Sequence, residues 1–231
     1  MSRLPVPVGL VLCCALLLGA CGGGDEQEAS EGRPAPAVTG TATPATSAGC
    51  EKVSEPKPGK AAKLAEPKLE LDAKTSYVAR VVTNCGEFEI TLDAKRAPRT
   101  GGSFVTLVSK GFYDGLIFHR VVPGFVIQGG DPSGDGSGGP GYSVVESPPE
   151  DLTYGQGVVA MAKTATERAG TSGSQFFVVT GEDAGLPPEY ALLGKVTKGQ
   201  DVVDRIGVTQ VGPDEKPVAP VVIREIEIEE G

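Results

Sequence analysis

Phe118-His119-Arg120-Val121-Val122-Pro123-Gly124-Phe125-Val126-Ile127-Gln128-Gly129-Gly130-Asp131 is the stretch around which the chain is organised. Two short apolar runs flank a Pro-Gly pair, a pattern that reads as strand, turn and strand. In a hairpin of this kind Arg120 and Gln128 come side by side on one surface, with Phe125 next to them as an apolar floor. The stretch therefore offers a planar cation, an amide able to hold it and an aromatic wall. The glycines after Gln128 carry no Cβ and let another backbone pass close.

Two further blocks follow in order. The first is Met161-Ala162-Lys163 with Gly173-Ser174-Gln175-Phe176-Phe177-Val178, and the second is Leu192-Leu193-Gly194-Lys195-Val196. With these in place, residues 77–229 resemble the cyclophilin-type peptidyl-prolyl isomerases. The resemblance implies a mostly β fold, a closed eight-stranded barrel capped by two helices, and rotation about Xaa-Pro bonds without cofactor or metal. Carried over residue by residue, it makes Arg120, Gln128 and Phe125 the catalytic set. Phe125, Met161, Phe177 and Leu186 resemble the apolar pocket for the proline ring. The backbone at Lys163 and the side chain of Gln175 resemble the groups that bind the peptide. His119, Val126, Ala162 and Tyr190 complete the expected substrate-binding set, and Gly136 borders the groove. The chain departs from the family pattern at three places. It has no Trp, and Gly185 and its neighbours stand where a pocket-rim Trp is often found. Tyr190 stands in place of a His, and Val126 in place of a Met. These departures bear on the breadth of peptide binding and on binding of cyclosporin.

The residue types suit that chemistry. An Xaa-Pro amide resists rotation because its C–N bond has partial double-bond character, with a barrier of ~18–20 kcal/mol. In the twisted transition state the prolyl nitrogen regains a lone pair. A donor aimed at that nitrogen stabilises the twisted form and not the planar ones, which is differential binding of the transition state. Arg120 fits because a guanidinium is always charged and presents its donors in a fixed plane. Read singly, Arg120 is a surface cation and Phe177 a core residue; the surrounding pattern gives them their roles. His119 is the single His of the chain, which argues against a catalytic triad or a multi-His metal site. It is expected as a packed or groove-edge residue and not as a general base. The rival class is a binding module or chaperone that holds proline-containing peptides in the same groove with incidental turnover. The isomerisation rate of a short Xaa-Pro peptide separates the two. A two-lobed solute-binding lipoprotein would need an α/β pattern that the chain lacks.

Within the domain, strands are predicted at 77–83 and 87–93, where Phe88, Ile90 and Leu92 alternate with polar neighbours. A helix is predicted over 98–110, opened by Pro98. Phe104, Leu107 and Val108 recur at helical spacing and would face the barrel. Gly101-Gly102 inside it costs roughly 1 kcal/mol per Gly relative to Ala. Further strands are expected at 157–162, 174–180, 191–197 and 221–229, with a second helix over 199–206. The Gly/Ser/Asp loop 132–140 is followed by no Gly-Lys-Ser/Thr and no helical pattern, so it does not read as a phosphate cradle.

The chain divides into residues 1–20, 21–75 and 76–231. Residues 1–20 read as an export signal: Arg3 opens it, and the apolar run 8–18 is too short to span a bilayer. Leu18-Gly19-Ala20-Cys21 resembles a bacterial lipobox, with Cys21 as the lipidated residue; the alternative is an ordinary secretory signal that contains a Cys. The Pro/Ala/Thr-rich tether 21–75 cannot bury enough apolar area to offset its ordering entropy and reads as a disordered linker. Within it, 52–71 either continues the tether or lies along the domain as an arm. The expected location is the cell membrane, lipid-anchored, with the domain on the extracytoplasmic side. Once the signal is removed and Cys21 is lipidated, Cys50 and Cys85 remain in an oxidising compartment and are expected to pair; the alternative is two unpaired thiols. The net charge of −9 argues against nucleic acid, which calls for clustered cations. The expected partners are proline-containing polypeptides and, through the lipid, a membrane, with the chain itself a monomer.

Overall fold

Alternating apolar and polar residues fold into antiparallel strands in a computed structural model that describes residues 49–59 and 63–231. The export signal, Cys21 and the first part of the tether lie outside the described residues. Strand β1 (Tyr77–Thr83) and strand β2 (Gly86–Leu92) form a hairpin. Helix α1 (Pro98–Val108) follows, with Pro98 in its first turn. Then come β3 (Phe118–Val122), β4 (Val126–Gly129), β5 (Val144–Val145), β6 (Val158–Met161), β7 (Thr171–Ser172), β8 (Phe176–Val179) and β9 (Leu192–Lys198). Helix α2 (Gln200–Gly207) and strand β10 (Ile223–Glu230) complete the fold. The predicted strands and helices recur within about two residues of their expected ends, the usual uncertainty of an element boundary. The two-residue pair β5–β7 was not foreseen, because so short a segment carries no periodicity.

Eight strands form one sheet in the order β10-β1-β2-β9-β6-β8-β4-β3. The sheet curls into a half-barrel and does not close, which corrects the expectation of a closed barrel. Among the described residues the outer strands β3 and β10 meet at one corner, through the bridge Ile117↔Val222 and bonds of 2.8 to 2.9 Å that join Gly115, Leu116 and Phe118 to Val221 and Ile223. Beyond that corner the free edge of β3 is taken by the 212–216 turn, where the Val121 N–H donates to the Glu215 carbonyl at 2.8 Å. A donor used this way is not available to β10.

Strand alternation makes two cores. Inside the curl, Ile90, Val121, Ile127, Val159 and Val178 pack with Phe104 and Leu107 of α1 and with Val203 and Ile206 of α2. Tyr113, Phe118 and Phe176 join Phe104 there, with ring centroids 5.1 to 6.0 Å apart and mostly edge-on. On the outer face, Val126, Ala160, Phe177 and Val179 form a second, smaller cluster around Tyr154. That outer cluster carries the candidate site.

The structure also decides between tether and arm. Residues 49–59 and 63–75, expected within the disordered linker, are bound to the domain. Cys50 and Cys85 are joined by a disulfide. The Glu51 N–H donates to the Asn84 carbonyl, Gly59 to Pro132, Leu64 to Pro140 and Leu71 to Pro98, at 2.7 to 3.1 Å. The arm explains the glycines of α1. A Cβ at Gly102 would lie 2.0 Å from the carbonyl oxygen of Leu69, and one at Gly101 would lie 2.4 Å from Leu71 Cδ1. The helix gives up side chains at the place where the arm crosses it.

Ala forms helix better than Gly by roughly 1 kcal/mol, so helix propensity alone would have Gly102→Ala stabilise the protein. The arm reverses that sign. Gly102→Ala is expected to lower stability by about 1–3 kcal/mol, the usual cost of overpacking, as measured by urea or thermal unfolding. An unchanged or raised stability would mean that the arm does not bear on α1 in solution.

Candidate active site

Pro123 and Gly124 turn the chain between β3 and β4, with Gly124 at φ +71° and the Phe125 N–H donating to the Val122 carbonyl at 3.0 Å. The register then sets Arg120 opposite Gln128, Val121 opposite Ile127 and Val122 opposite Val126, with a shift between Phe118 and Arg120. The extra residue at that shift is His119, in the manner of a bulge. Directly opposed residues share a face, so Arg120 and Gln128 emerge together on the outer face while Val121 and Ile127 enter the main core. On the next strand Phe177 faces Gln128 and Val179 faces Val126, which extends the outer face into an apolar floor.

On that floor lies a shallow pocket of about 170 Å³ lined by Arg120, Phe125, Val126, Gln128, Ala162, Lys163, Phe177, Leu186 and Tyr190. The structure thus gathers nine of the predicted site residues. Tyr190 meets Phe177 edge-on, with centroids 5.4 Å apart. Its backbone is held by Tyr154, whose hydroxyl donates to the Tyr190 carbonyl at 2.7 Å and accepts from the Tyr190 N–H at 3.0 Å. Burial pushes the Tyr154 phenol up to about 12, so it stays a neutral donor. Lys163 lies 5.3 Å from the centre of the Tyr190 ring and 3.3 Å from the Glu189 carboxylate, with only its edge in water.

Polar contacts run from the pocket in two directions. Arg120 Nη1 donates to Gln128 Oε1 at 3.5 Å, and Gln128 Nε2 donates to Gln175 Oε1 at 3.0 Å. Gln175 Nε2 in turn donates to the carbonyls of Gly136 and Gly138, both at 2.9 Å. Those carbonyls are presented by a loop wrapped around the buried Asp131 carboxylate, which accepts from the N–H groups of Ser133, Asp135 and Gly136 at 2.6 to 3.0 Å. Gly136 and Gln175 therefore stand beside the pocket as its polar border and not in its lining. In the other direction Arg120 Nε donates to Glu215 Oε2 at 2.5 Å. No sequence pattern points to Glu215. Its one local mark is a left-handed backbone with φ +63°, the single such non-glycine among the described residues, and a Glu in a Pro-Asp-Glu-Lys-Pro turn does not announce that conformation.

Two expected residues lie elsewhere. The family resemblance puts Met161 in the apolar pocket, but β6 alternates, so Ala160 faces the outer cluster while Met161, 1% exposed, enters the main core opposite Phe176. His119 is buried at the bulge, and its Nδ1 has no partner among the described residues. Gly130, after Gln128, does admit a close backbone: a Cβ there would lie 2.5 Å from the Ser174 carbonyl oxygen.

The family model described as cyclophilin type peptidyl-prolyl cis-trans isomerase/CLD matches residues 78–228. A peptidyl-prolyl cis-trans isomerase A of Mycobacterium tuberculosis is 38% identical over 168 residues, covering 65% of this chain and 91% of the relative. A peptidyl-prolyl cis-trans isomerase of Schizosaccharomyces pombe is 37% identical over 145 residues, covering 61% and 92%. Among solved structures, a cyclophilin type peptidyl-prolyl cis-trans isomerase of Cryptosporidium parvum superposes with a TM-score of 0.63 at 30% identity, covering 67% of this chain and 98% of that one. A second structure of that protein, in the presence of the dipeptide Ala-Pro, gives a TM-score of 0.62 at 31% identity.

Burial lowers the His119 imidazole below its ordinary 6.5; Asp131 opposes the shift and Arg120 adds to it. The unfolded chain therefore binds this proton more readily than the folded one in the window below pH 6.5. Stability contributed by neutral His119 is complete above that window and is lost as pH falls through it toward the folded value. His119→Gln is expected to flatten the wild-type stability slope below pH 6.5, read from chemical unfolding at a series of pH values. An identical slope in both proteins would show that His119 is not desolvated.

Proposed function

The chain belongs to the cyclophilin-type peptidyl-prolyl cis-trans isomerases, and we propose that Arg120 is the group by which it accelerates rotation of an Xaa-Pro bond. One observation carries this reading: a guanidinium, held by an amide and a carboxylate, borders a small apolar pocket. A proline ring has no side-chain hydrogen bond to make, so walls of Phe125, Val126, Phe177 and Leu186 suit it without leaving a polar group unpaired. The chain on either side of the proline meets polar groups at the pocket border: Gln175, the backbone at Ala162 and Lys163, and the 136–138 loop. With the ring seated, the bond before it rotates. As the prolyl nitrogen pyramidalises, the guanidinium donors stabilise its lone pair, and no bond is made to the protein and no proton moves. Gln128 and Phe125 complete the catalytic set, the first by holding the cation and the second by walling the ring. The relative's structure in the presence of Ala-Pro supports a proline-bearing peptide as ligand.

The same reading extends to where the enzyme works. The short apolar leader ending in Leu-Gly-Ala-Cys supports export, with Cys21 as the lipid anchor. The Cys50–Cys85 disulfide supports an oxidising compartment, since such bonds persist outside the cytosol. The enzyme would then act on exported proline-containing chains at the extracytoplasmic face of the membrane, as a monomer.

Arg120→Ala is expected to lower kcat by about 10²–10³, the usual loss when one preorganised transition-state donor is removed. Fold and ground-state peptide affinity should be retained. Arg120→Lys should not restore the rate, because an ammonium has the charge without the planar fork. Phe125→Ala should weaken peptide binding as well. The measurement is exchange of a short Xaa-Pro peptide followed by NMR, and near-wild-type turnover in folded Arg120→Ala would overturn the assignment.

For the anchor, mass spectrometry of the native protein should find an N-terminal cysteine at position 21 carrying acyl chains. One chain anchors only marginally, so more than one is expected. An unmodified N-terminus at any other residue rules the anchor out.

A further inference from the structure

We propose that Glu215 is a positioning residue for the isomerisation, orienting the Arg120 guanidinium from the side away from Gln128; the inference rests on the reading of Arg120 given above. The two contacts that hold the guanidinium are unequal. The bond to Gln128 Oε1, at 3.5 Å, is at the limit of a hydrogen bond, and Gln128 is also engaged by Gln175 at 3.0 Å. The bond to Glu215 Oε2, at 2.5 Å, is short and joins opposite charges, which makes it the stronger restraint. It is made through Nε, so it fixes the plane of the fork while leaving the outer Nη donors free of the carboxylate. The carboxylate orients the cation through one charge-assisted hydrogen bond.

The backbone of Glu215 is built for this placement. It lies at φ +63°, a conformation that favours glycine. Such a conformation persists where the surroundings over-determine it, and it clusters at functional sites. Here the Glu215 N–H donates to the Gly212 carbonyl at 3.1 Å, and the Gly212 N–H donates to the Lys216 carbonyl at 2.8 Å. Lys216 Nζ donates to Glu55 Oε1 of the arm at 2.6 Å. The Glu215 carbonyl accepts from the N–H of Val121 at 2.8 Å. Main chain and side chain of Glu215 thus act on consecutive residues of β3, Val121 and Arg120. The pair itself is partly exposed, with the Arg120 and Glu215 side chains 35% and 47% accessible. Exposed ion pairs add little to stability. The consequence of this one is therefore expected in the rate and not in the melting temperature.

The test uses the full chain, with its arm and disulfide intact, and a short Xaa-Pro peptide as substrate. Glu215→Ala is expected to lower kcat about tenfold with KM little changed, since a loosened catalytic group loses geometry and not affinity. Its melting temperature should match the wild type. Glu215→Gln, whose amide oxygen still accepts from Nε, should recover most of the rate. In wild type the Arg120 Nε–H resonance should be shifted and slow to exchange, and it should collapse toward free arginine in Glu215→Ala. In an Arg120→Ala background, Glu215→Ala should change nothing further. If Arg120→Ala is crippled but Glu215→Ala turns over like wild type, the role of Glu215 is overturned and that of Arg120 stands. If Arg120→Ala itself keeps full turnover, both fall. A rate loss from Glu215→Ala that persists without Arg120 also overturns the proposal. Should the Ala variant fail to fold, a wild-type Arg120 Nε–H resonance that exchanges like free arginine is sufficient to reject it.

Discussion

The pairing of β3 with β4 is the constraint on which the site depends. Its register sets Arg120 opposite Gln128 and Val121 opposite Ile127. A slip of one residue would move every side chain of β3 to the other face, burying the guanidinium and exposing the valine. Two features resist that slip. The Pro123-Gly124 turn fixes one end of the hairpin, and the bulge at His119 absorbs the extra residue at the other. Val121 and Ile127, both fully buried, then hold the register by their place in the core. The cost of exposing two such side chains, about 1.5–3 kcal/mol each, is what keeps Arg120 on the outer face.

The division into an inner and an outer cluster follows from the same alternation. The inner cluster, with the helices laid against it, holds the fold together. The outer cluster is smaller and incompletely covered, and the gap in its cover is the pocket. An apolar pocket can bind a proline ring but cannot by itself favour a twisted bond over a planar one. That distinction needs a group with fixed direction. In the proposed reading the polar chain Gln175–Gln128–Arg120–Glu215 supplies one, because each member is held by the next. Such preorganised groups need no rearrangement as the transition state forms.

The ends of this chain rest on two loops, and the arm touches both. Gly59 bonds to Pro132 at the start of the Asp131 loop, and Glu55 bonds to Lys216 beside Glu215. The Cys50–Cys85 disulfide secures the arm at one end, and Leu69 and Leu71 seat it on the glycine pair of α1 at the other. A segment whose composition suggests a linker is thus part of the packing around the site.

How much of this is legible in the residues depends on distance along the chain. The strands, both helices and the Arg120–Gln128 pair follow from local rules: period-two alternation, a proline opening a helix, a hairpin closed by Pro-Gly. The phenylalanines of the pocket follow from family resemblance, since buried and pocket-lining aromatics look alike in composition. The amino-acid sequence thereby determined a mostly β isomerase with its cation and pocket wall. Other features required the folded chain. The sheet stays open because the turn bearing Glu215 occupies the edge of β3. Met161 enters the core because β6 alternates from Ala160. Residues 49–59 and 63–75 dock because a disulfide and two α1 glycines receive them. Glu215 meets Arg120 across 95 residues. Periodicity encodes which way a side chain points from its own strand, but it does not encode which distant backbone will lie beside it. That depends on how far the sheet curls and on which loop reaches its edge first.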